Sequence, residues 1–169
     1  RVNNELIKTK AIGKYYLAII SGVVDEKQSI SGWLSKDEAG NKVTVRKNKF
    51  NNASFIQTEY LPLKKFKDIT LVSVKLITGK THQIRAHLAS IGHPIIGDYK
   101  YGDERINEYY KKKYGIKSQL LHAYKLVYPD FTDSDLDDTD AFKRIKGRTF
   151  FAEYNEDFRK VIGDGHLEE

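Results

Sequence analysis

Between Lys80 and Asp98 the chain gathers Lys80, His82, Arg85, His87 and His93. Three imidazoles so close together raise the question of a metal. Two ligands on one helix face need a spacing of three or four, whereas these histidines are five and six apart. No glutamate sits among them as in H-E-x-x-H, so no metal is expected. Asp133-x-Asp135-x-Asp137 has the opening rhythm of a calcium loop, but the sixth position is Asp138 rather than glycine. The twelfth is Arg144 rather than glutamate, which makes it a solvated acidic loop. Arg85 is the group best suited to chemistry. A guanidinium is permanently charged and forked, so it can hold a carboxylate ionised and oriented. The ordinary reading of such an arginine is a surface residue, and spacing alone leaves both readings open.

These side chains need a scaffold, and the apolar pattern supplies its outline. Ile84, Leu88 and Ile91 fall at i, i+4 and i+7, one stripe of a helix with Arg85 to its side. Thr81 is placed to cap its start, Gly92 to accept the left-handed turn at its end, and His93-Pro94 to stop it. Upstream, Tyr15 to Val24 is an apolar β-branched run, Val43 to Arg46 alternates, and Phe55 to Leu63 is extended, with Pro62 marking an edge or end. Leu71 to Thr78 alternates Val72, Val74 and Leu76 against Ser73 and Lys75, which predicts a half-buried strand. A helix is predicted over Glu104 to Tyr114 with Ile106, Tyr109 and Tyr110 inward, then a core strand over Gln119 to Tyr128. A strand near Thr149 to Ala152 and a helix over Glu156 to Ile162 close the chain. Many strands, few helices and no βαβ alternation predict an α+β fold on a mixed, mainly antiparallel sheet, one domain over residues 1–169.

Composition narrows the class of function. With no cysteine, disulfides and thiolate metal sites are excluded, which suits a cytoplasmic protein. No apolar run reaches the roughly 18 residues of a membrane span. A chain without methionine that opens on Arg1 reads as a piece of a longer protein. The net charge is +6, and six aspartates between Asp130 and Asp140 mask a stronger imbalance. Outside them stand 29 basic against 17 acidic residues, or +12, which suits a polyanionic partner as well as a plain lysine-rich surface. Lys64-Lys65-Phe66-Lys67 and Lys111-Lys112-Lys113 are candidate phosphate contacts on the first reading and solubilising clusters on the second.

The run Thr78-Gly79-Lys80-Thr81-His82-Gln83-Ile84-Arg85-Ala86-His87-Leu88, continuing through Gly92-His93-Pro94-Ile95-Ile96-Gly97-Asp98 to Tyr101-Gly102, resembles the signature stretch of the RluA/RluD-type pseudouridine synthase family. That pattern runs T-G-R-T-H-Q-I-R-x-H-L through G-x-P-I-x-G-D-x-x-Y-G, with Lys80 here in place of its arginine; the charge survives and the fork does not. Lys14-Tyr15-Tyr16-Leu17-Ala18 with Gly22 resembles the family's K-x-Y-x-A-x-x-x-G strand. Gln119-Leu120-Leu121-His122-Ala123 resembles its Q-x-L-H-A strand, and Phe150 to Phe158 loosely resembles its closing strand and helix.

The resemblance implies cofactor-free isomerisation of uridine to pseudouridine in structured RNA, ribosomal or transfer, with the base flipped into a pocket. It makes Arg85 and Tyr16 the catalytic residues, the arginine pairing with a nucleophilic aspartate and the tyrosine stacking on the uracil. Leu121 would line the pocket, with Leu120 its competitor, and His82 and Lys80 would contact RNA. For Tyr16 and Leu121 a purely core role is the alternative. The family's aspartate lies in an H-R-L-D-x-x-T-S-G motif upstream of the K-x-Y strand. Only thirteen residues precede Lys14 and none is Asp; Asn3 to Leu6 resemble the end of the helix after that motif. Asp98 reads as a structural residue of the Gly97-Asp98 turn, its carboxylate turned to backbone amides. The expectation is therefore a C-terminal portion of a synthase domain, inactive alone; the rival readings are a non-catalytic RNA-binding module on the same fold and a plain structural or protein-interaction domain.

Overall fold

A computed structural model describes residues 12–37, 39, 41–130, 144, 146–153 and 155–163. Its strands are β1 (Gly13–Ser21), β2 (Gln28–Lys36), β3 (Val43–Arg46), β4 (Ser54–Lys65), β5 (Ile69–Leu76), β6 (Leu121–Val127) and β7 (Thr149–Phe151). Its helices are α1 (Gln83–Ser90), α2 (Glu104–Tyr114) and α3 (Glu156–Ile162). The strands form one sheet in the order β3-β2-β4-β5-β1-β6-β7. Neighbours in it run antiparallel, so the chain adopts the expected α+β class. The Asp133 to Asp138 loop and Asn3 to Leu6 lie outside the described residues.

Register tells which side chains share a face, because opposed residues point to the same side. Thr58 pairs with Leu76 and Tyr60 with Val74; Val74 pairs in turn with Tyr16, and Val72 with Ala18. Ala18 then pairs with Leu121, and Tyr16 with Ala123. On the other flank Ile30 opposes Thr58 and Gly32 opposes Ile56. One face thus carries Ile30, Thr58, Tyr60, Val74, Tyr16, Ala18 and Leu121, and α1 lies on it through bonds to Thr58. The other face carries Leu17 and His122, against which α3 sets the buried ring of Phe158.

Two-sided cover explains where the strand pattern misled. β5 is buried from Ile69 through Val74, including Leu71 and Ser73 on the face expected to be open. It is the central strand of the seven, and Ser73 satisfies its hydroxyl on Tyr124 Oη at 2.9 Å. Pro62 lies inside β4 rather than at its end. Pairing with β2 stops at Tyr60, so Pro62 falls where β4 is bonded on one side only and a missing N–H costs no ladder bond. β2 itself was not foreseen. Its serines and Gly32 give little apolar alternation, and it is placed by pairing with β3 and β4.

The helices match their predicted spans closely and their predicted details less well. Gly92 has φ 85°, as a left-handed helix end requires. The α1 N-cap is His82 rather than Thr81, at φ 53° and with no side-chain cap. Ile84 and Leu88 are buried, but Ile91 is exposed because the helix has already ended. On α2 the inward polar residue is Asn107, and Tyr109 is 53% exposed rather than buried. Asp103 caps α2 by accepting from the Arg105 and Ile106 amides.

Candidate functional site

Helix α1 is held down by hydrogen bonds more than by its short apolar stripe. Gln83 is buried and uses its whole amide group. Its Nε2 donates to Gln57 O at 3.0 Å and Thr58 Oγ1 at 3.1 Å; its Oε1 accepts from Thr78 Oγ1 at 2.8 Å and Lys80 N at 3.0 Å. One side chain therefore ties β4, the Thr78–Lys80 loop and α1 together, in place of a conventional cap. Thr58, accepting from Gln83, has its own proton left for His87 Nδ1 at 2.9 Å. Burial pushes the pKa of His87 down despite a bond to the Ser31 backbone, so the ring is neutral and structural.

Arg85 sits one turn along, 15% exposed, and its partner is Asp98. Nε donates to Oδ2 at 2.7 Å and Nη2 donates to Oδ1 at 2.9 Å, a two-point fork. Asp98 is fully buried. Its Oδ1 also accepts the Lys100 and Tyr101 amides, each at 3.0 Å. Burial by itself would raise the carboxyl pKa; the Arg85 fork and the two amides outweigh it and hold Asp98 below the ordinary aspartate range. In return, its bonds to Asp98 raise the Arg85 pKa. The amide contacts were foreseen for Asp98. The arginine was not.

The turn bearing Asp98 is itself clamped. Asn107 of α2 accepts the Gly97 amide at 2.7 Å and donates to the Asp98 carbonyl at 2.9 Å, and Gly102 N donates to that carbonyl at 2.8 Å. Gly97 has φ 78°, and a Cβ there would run into the Ser118 carbonyl oxygen, so only glycine fits. Just before it, Ile96 donates to Ile19 O and accepts from Leu120 N, both at 2.9 Å. The turn therefore leaves the sheet between the end of β1 and the approach to Leu121.

Tyr101 joins this group to the far strands. Its hydroxyl accepts the Val43 amide at 3.0 Å and lies 2.9 Å from His82 Nδ1. The Arg85 guanidinium lies 5.2 Å from its ring centroid. Burial pushes the His82 pKa down, and the charges of Arg85, Lys100 and Lys36 push the same way against Asp98. Three cations thus bear on one half-buried imidazole.

The sequence candidates divide accordingly. Arg85 and His82 are brought together around Tyr101. Lys80 stands on the loop before them, exposed, with its amide on Gln83. Tyr16 and Leu121 are half-buried on the same sheet face, packed at the edge of the main apolar cluster, while neighbouring Leu120 is fully inside it. β5 separates β1 from β4, so roughly 10 Å of sheet lies between Tyr16 and Thr58. His93 goes elsewhere, to Ser21 O at 2.9 Å, so the three histidines serve three separate anchors. Gln83, Thr58, Asp98 and Asn107 were missed as a network. Its one visible trace was Gln83 and His87 at i, i+4, beside Ile84 and Leu88 at the same spacing.

The sequence model described as RNA pseudouridylate synthase matches residues 1–90. The ribosomal large subunit pseudouridine synthase C of Vibrio cholerae is 36% identical over 122 residues, covering 72% of this chain and 37% of the relative. The protein of that name from Buchnera aphidicola is 38% identical over 127 residues, covering 74% and 40%. The chain therefore spans about two fifths of the length of these relatives. Among solved structures, human RNA pseudouridylate synthase domain containing 4 superposes with a TM-score of 0.68 at 22% identity, covering 94% of this chain and 64% of that one. Its human namesake numbered 1 does so at 0.64 and 21%, covering 94% and 68%.

Proposed function

This chain belongs to the RNA pseudouridylate synthase family, and from that premise we propose that the whole protein isomerises uridine to pseudouridine in structured RNA. The observation that carries the proposal is Arg85, locked on α1 by a buried carboxylate and sharing a sheet face with Tyr16 and Leu121. Asp98 takes two of the five guanidinium N–H groups, which leaves the others for a second carboxylate. That second carboxylate is the nucleophile, supplied by the upstream H-R-L-D-type segment and held ionised by Arg85. Asp98 cannot take the role itself, being fully buried with both oxygens engaged. Tyr16 stacks on the flipped base, Leu121 lines its pocket, and His82 and Lys80 meet the RNA. The curated relatives' names favour ribosomal over transfer RNA as substrate, and a cysteine-free chain suits the cytoplasm. Among the described residues no helix is long and apolar enough to cross a membrane.

The test compares the whole protein, its upstream Asp→Asn variant and Arg85→Lys, each with ribosomal RNA from cells lacking the gene, by assaying pseudouridine. Lysine keeps the charge opposite Asp98 and loses the fork, so folding should survive while turnover falls on the order of a hundredfold. Undiminished turnover in Arg85→Lys would remove the residue from the mechanism. RNA binding without product in the wild type would favour a non-catalytic module.

A further inference from the structure

A polar cleft of about 770 Å³ opens beside the N-terminal end of α1, on the side of Arg85 away from Tyr16 and Leu121. It runs between the end of β2, the start of β3, the Asn51–Asn52 turn and the Lys80 loop. Its volume lies within the roughly 300–1,000 Å³ of a small-ligand site. Leu34 and Val43, both buried, give it an apolar floor. Lys36, Lys80 and the amides of Asn51 and Asn52 stand at its walls with serine and threonine hydroxyls, and its lining includes no carboxylate. Neither lysine forms an ion pair with a described residue.

Such a lining is rich in donors, positive, and apolar only at the base. It suits a phosphate with a sugar and a base edge; it does not suit a cation or a greasy peptide. The cleft is also joined to the catalytic group. Val43, in its floor, donates to the Tyr101 hydroxyl that contacts His82, and the charge of Lys36 reaches that imidazole. A strand with one nucleotide extruded towards Tyr16 continues beyond it, and this basic space lies three strands across and six residues along the sheet, roughly 14 Å by 20 Å, a reach of a few nucleotides.

We propose that this cleft binds a nucleotide of the RNA strand a few positions away from the target uridine, with Lys36 and Lys80 on its phosphates and Asn51 and Asn52 on its sugar or base edge. The proposal rests on the synthase reading for its RNA partner and extends it from Lys80 to Lys36, Asn51 and Asn52, which that reading does not use.

The experiment measures binding of a fluorescent single-stranded oligouridylate to the whole protein across a salt series. Each lysine that neutralises a phosphate contributes about 0.7 to the log–log slope on a single strand. Lys36→Ala and Lys80→Ala should each reduce the slope by about that amount and the pair by about 1.4, with affinity at low salt falling severalfold. Lys160→Ala, on α3 beyond the opposite face, should leave the slope alone. Cleft variants that retain the wild-type slope overturn the proposal, as does a cleft filled by another part of the protein. The two readings fail separately: product with unchanged slopes removes only the cleft, and reduced slopes without product remove only the chemistry.

Discussion

The two halves of the shared sheet face are built on different principles. Over β2 and β4 a polar network dominates, with Thr58, Gln83, His87, Arg85 and Asp98 each bonded to a named partner beside a small apolar cluster of Leu34, Val43, Ile56 and Ala86. Over β1 and β6 the contents are apolar, with Ala18 and Ile20 closed in and Tyr16 and Leu121 left half open. Hydrogen bonds fix distance and direction, so the first half can hold one guanidinium in one orientation. Packing fixes volume and tolerates a range of shapes, which suits the role proposed for that surface of accepting a flat ring. A cost per substitution should therefore depend on bonds lost in one half and on volume lost in the other.

The largest effect should come from Asp98→Ala. It strands a largely buried guanidinium and two amides, and removing one partner of a buried pair costs about 3–5 kcal/mol. Asp98→Asn, keeping shape and one acceptor, should cost less. Urea unfolding of the whole protein measures both; equal, small losses would show that the fork contributes little to folding.

At the start of β6 the contrast lies between chain neighbours that face opposite sides of the sheet. Leu120→Ala should cost about 2–5 kcal/mol, as for any closed cavity, whereas Leu121→Ala should cost clearly less because part of its surface already meets solvent. If catalysis follows the pocket, the ranking reverses for turnover, with Leu121→Ala the more damaging. Parallel losses in stability and turnover for both would reduce Leu121 to core.

The smallest effect is a pH dependence. Burial lowers the His87 pKa in the folded state, so the unfolded chain binds the proton first as pH falls. Its contribution is complete above the ordinary value of 6.5 and declines as pH falls from there through the folded value. Asp98, also depressed, adds a second loss below 3.8. His87→Gln should flatten the upper part of the stability–pH curve and leave the acid limb in place. An unchanged curve would mean that His87 charges without strain.

The candidate residues were legible in proportion to how local their signals are. Arg85, His82 and Lys80 stood out as candidates because a dense run of residue types surrounds them, and Tyr16 and Leu121 because they resemble fixed places in short strands. The partner of Arg85 was not legible, although Asp98 is thirteen residues away. Nothing in spacing tells whether a turn carboxylate faces its own amides, a distant guanidinium or both. Asn107 was hidden for the same reason, as one polar residue on a helix face judged by its apolar neighbours.

By itself the sequence determined the periods, the breaks and the chemical inventory: helices over Glu104–Tyr114 and Glu156–Ile162, the strand over Val43–Arg46, and a glycine at 92 where the chain turns left-handed. Those properties depend on residues within a few positions of one another. Only the tertiary structure decided that β5 is covered on both faces, that β2 exists as a paired strand, and that Arg85 is locked to Asp98. Each of these depends on what a distant segment brings to the other side, and a pattern read along one chain carries no record of what lies opposite it.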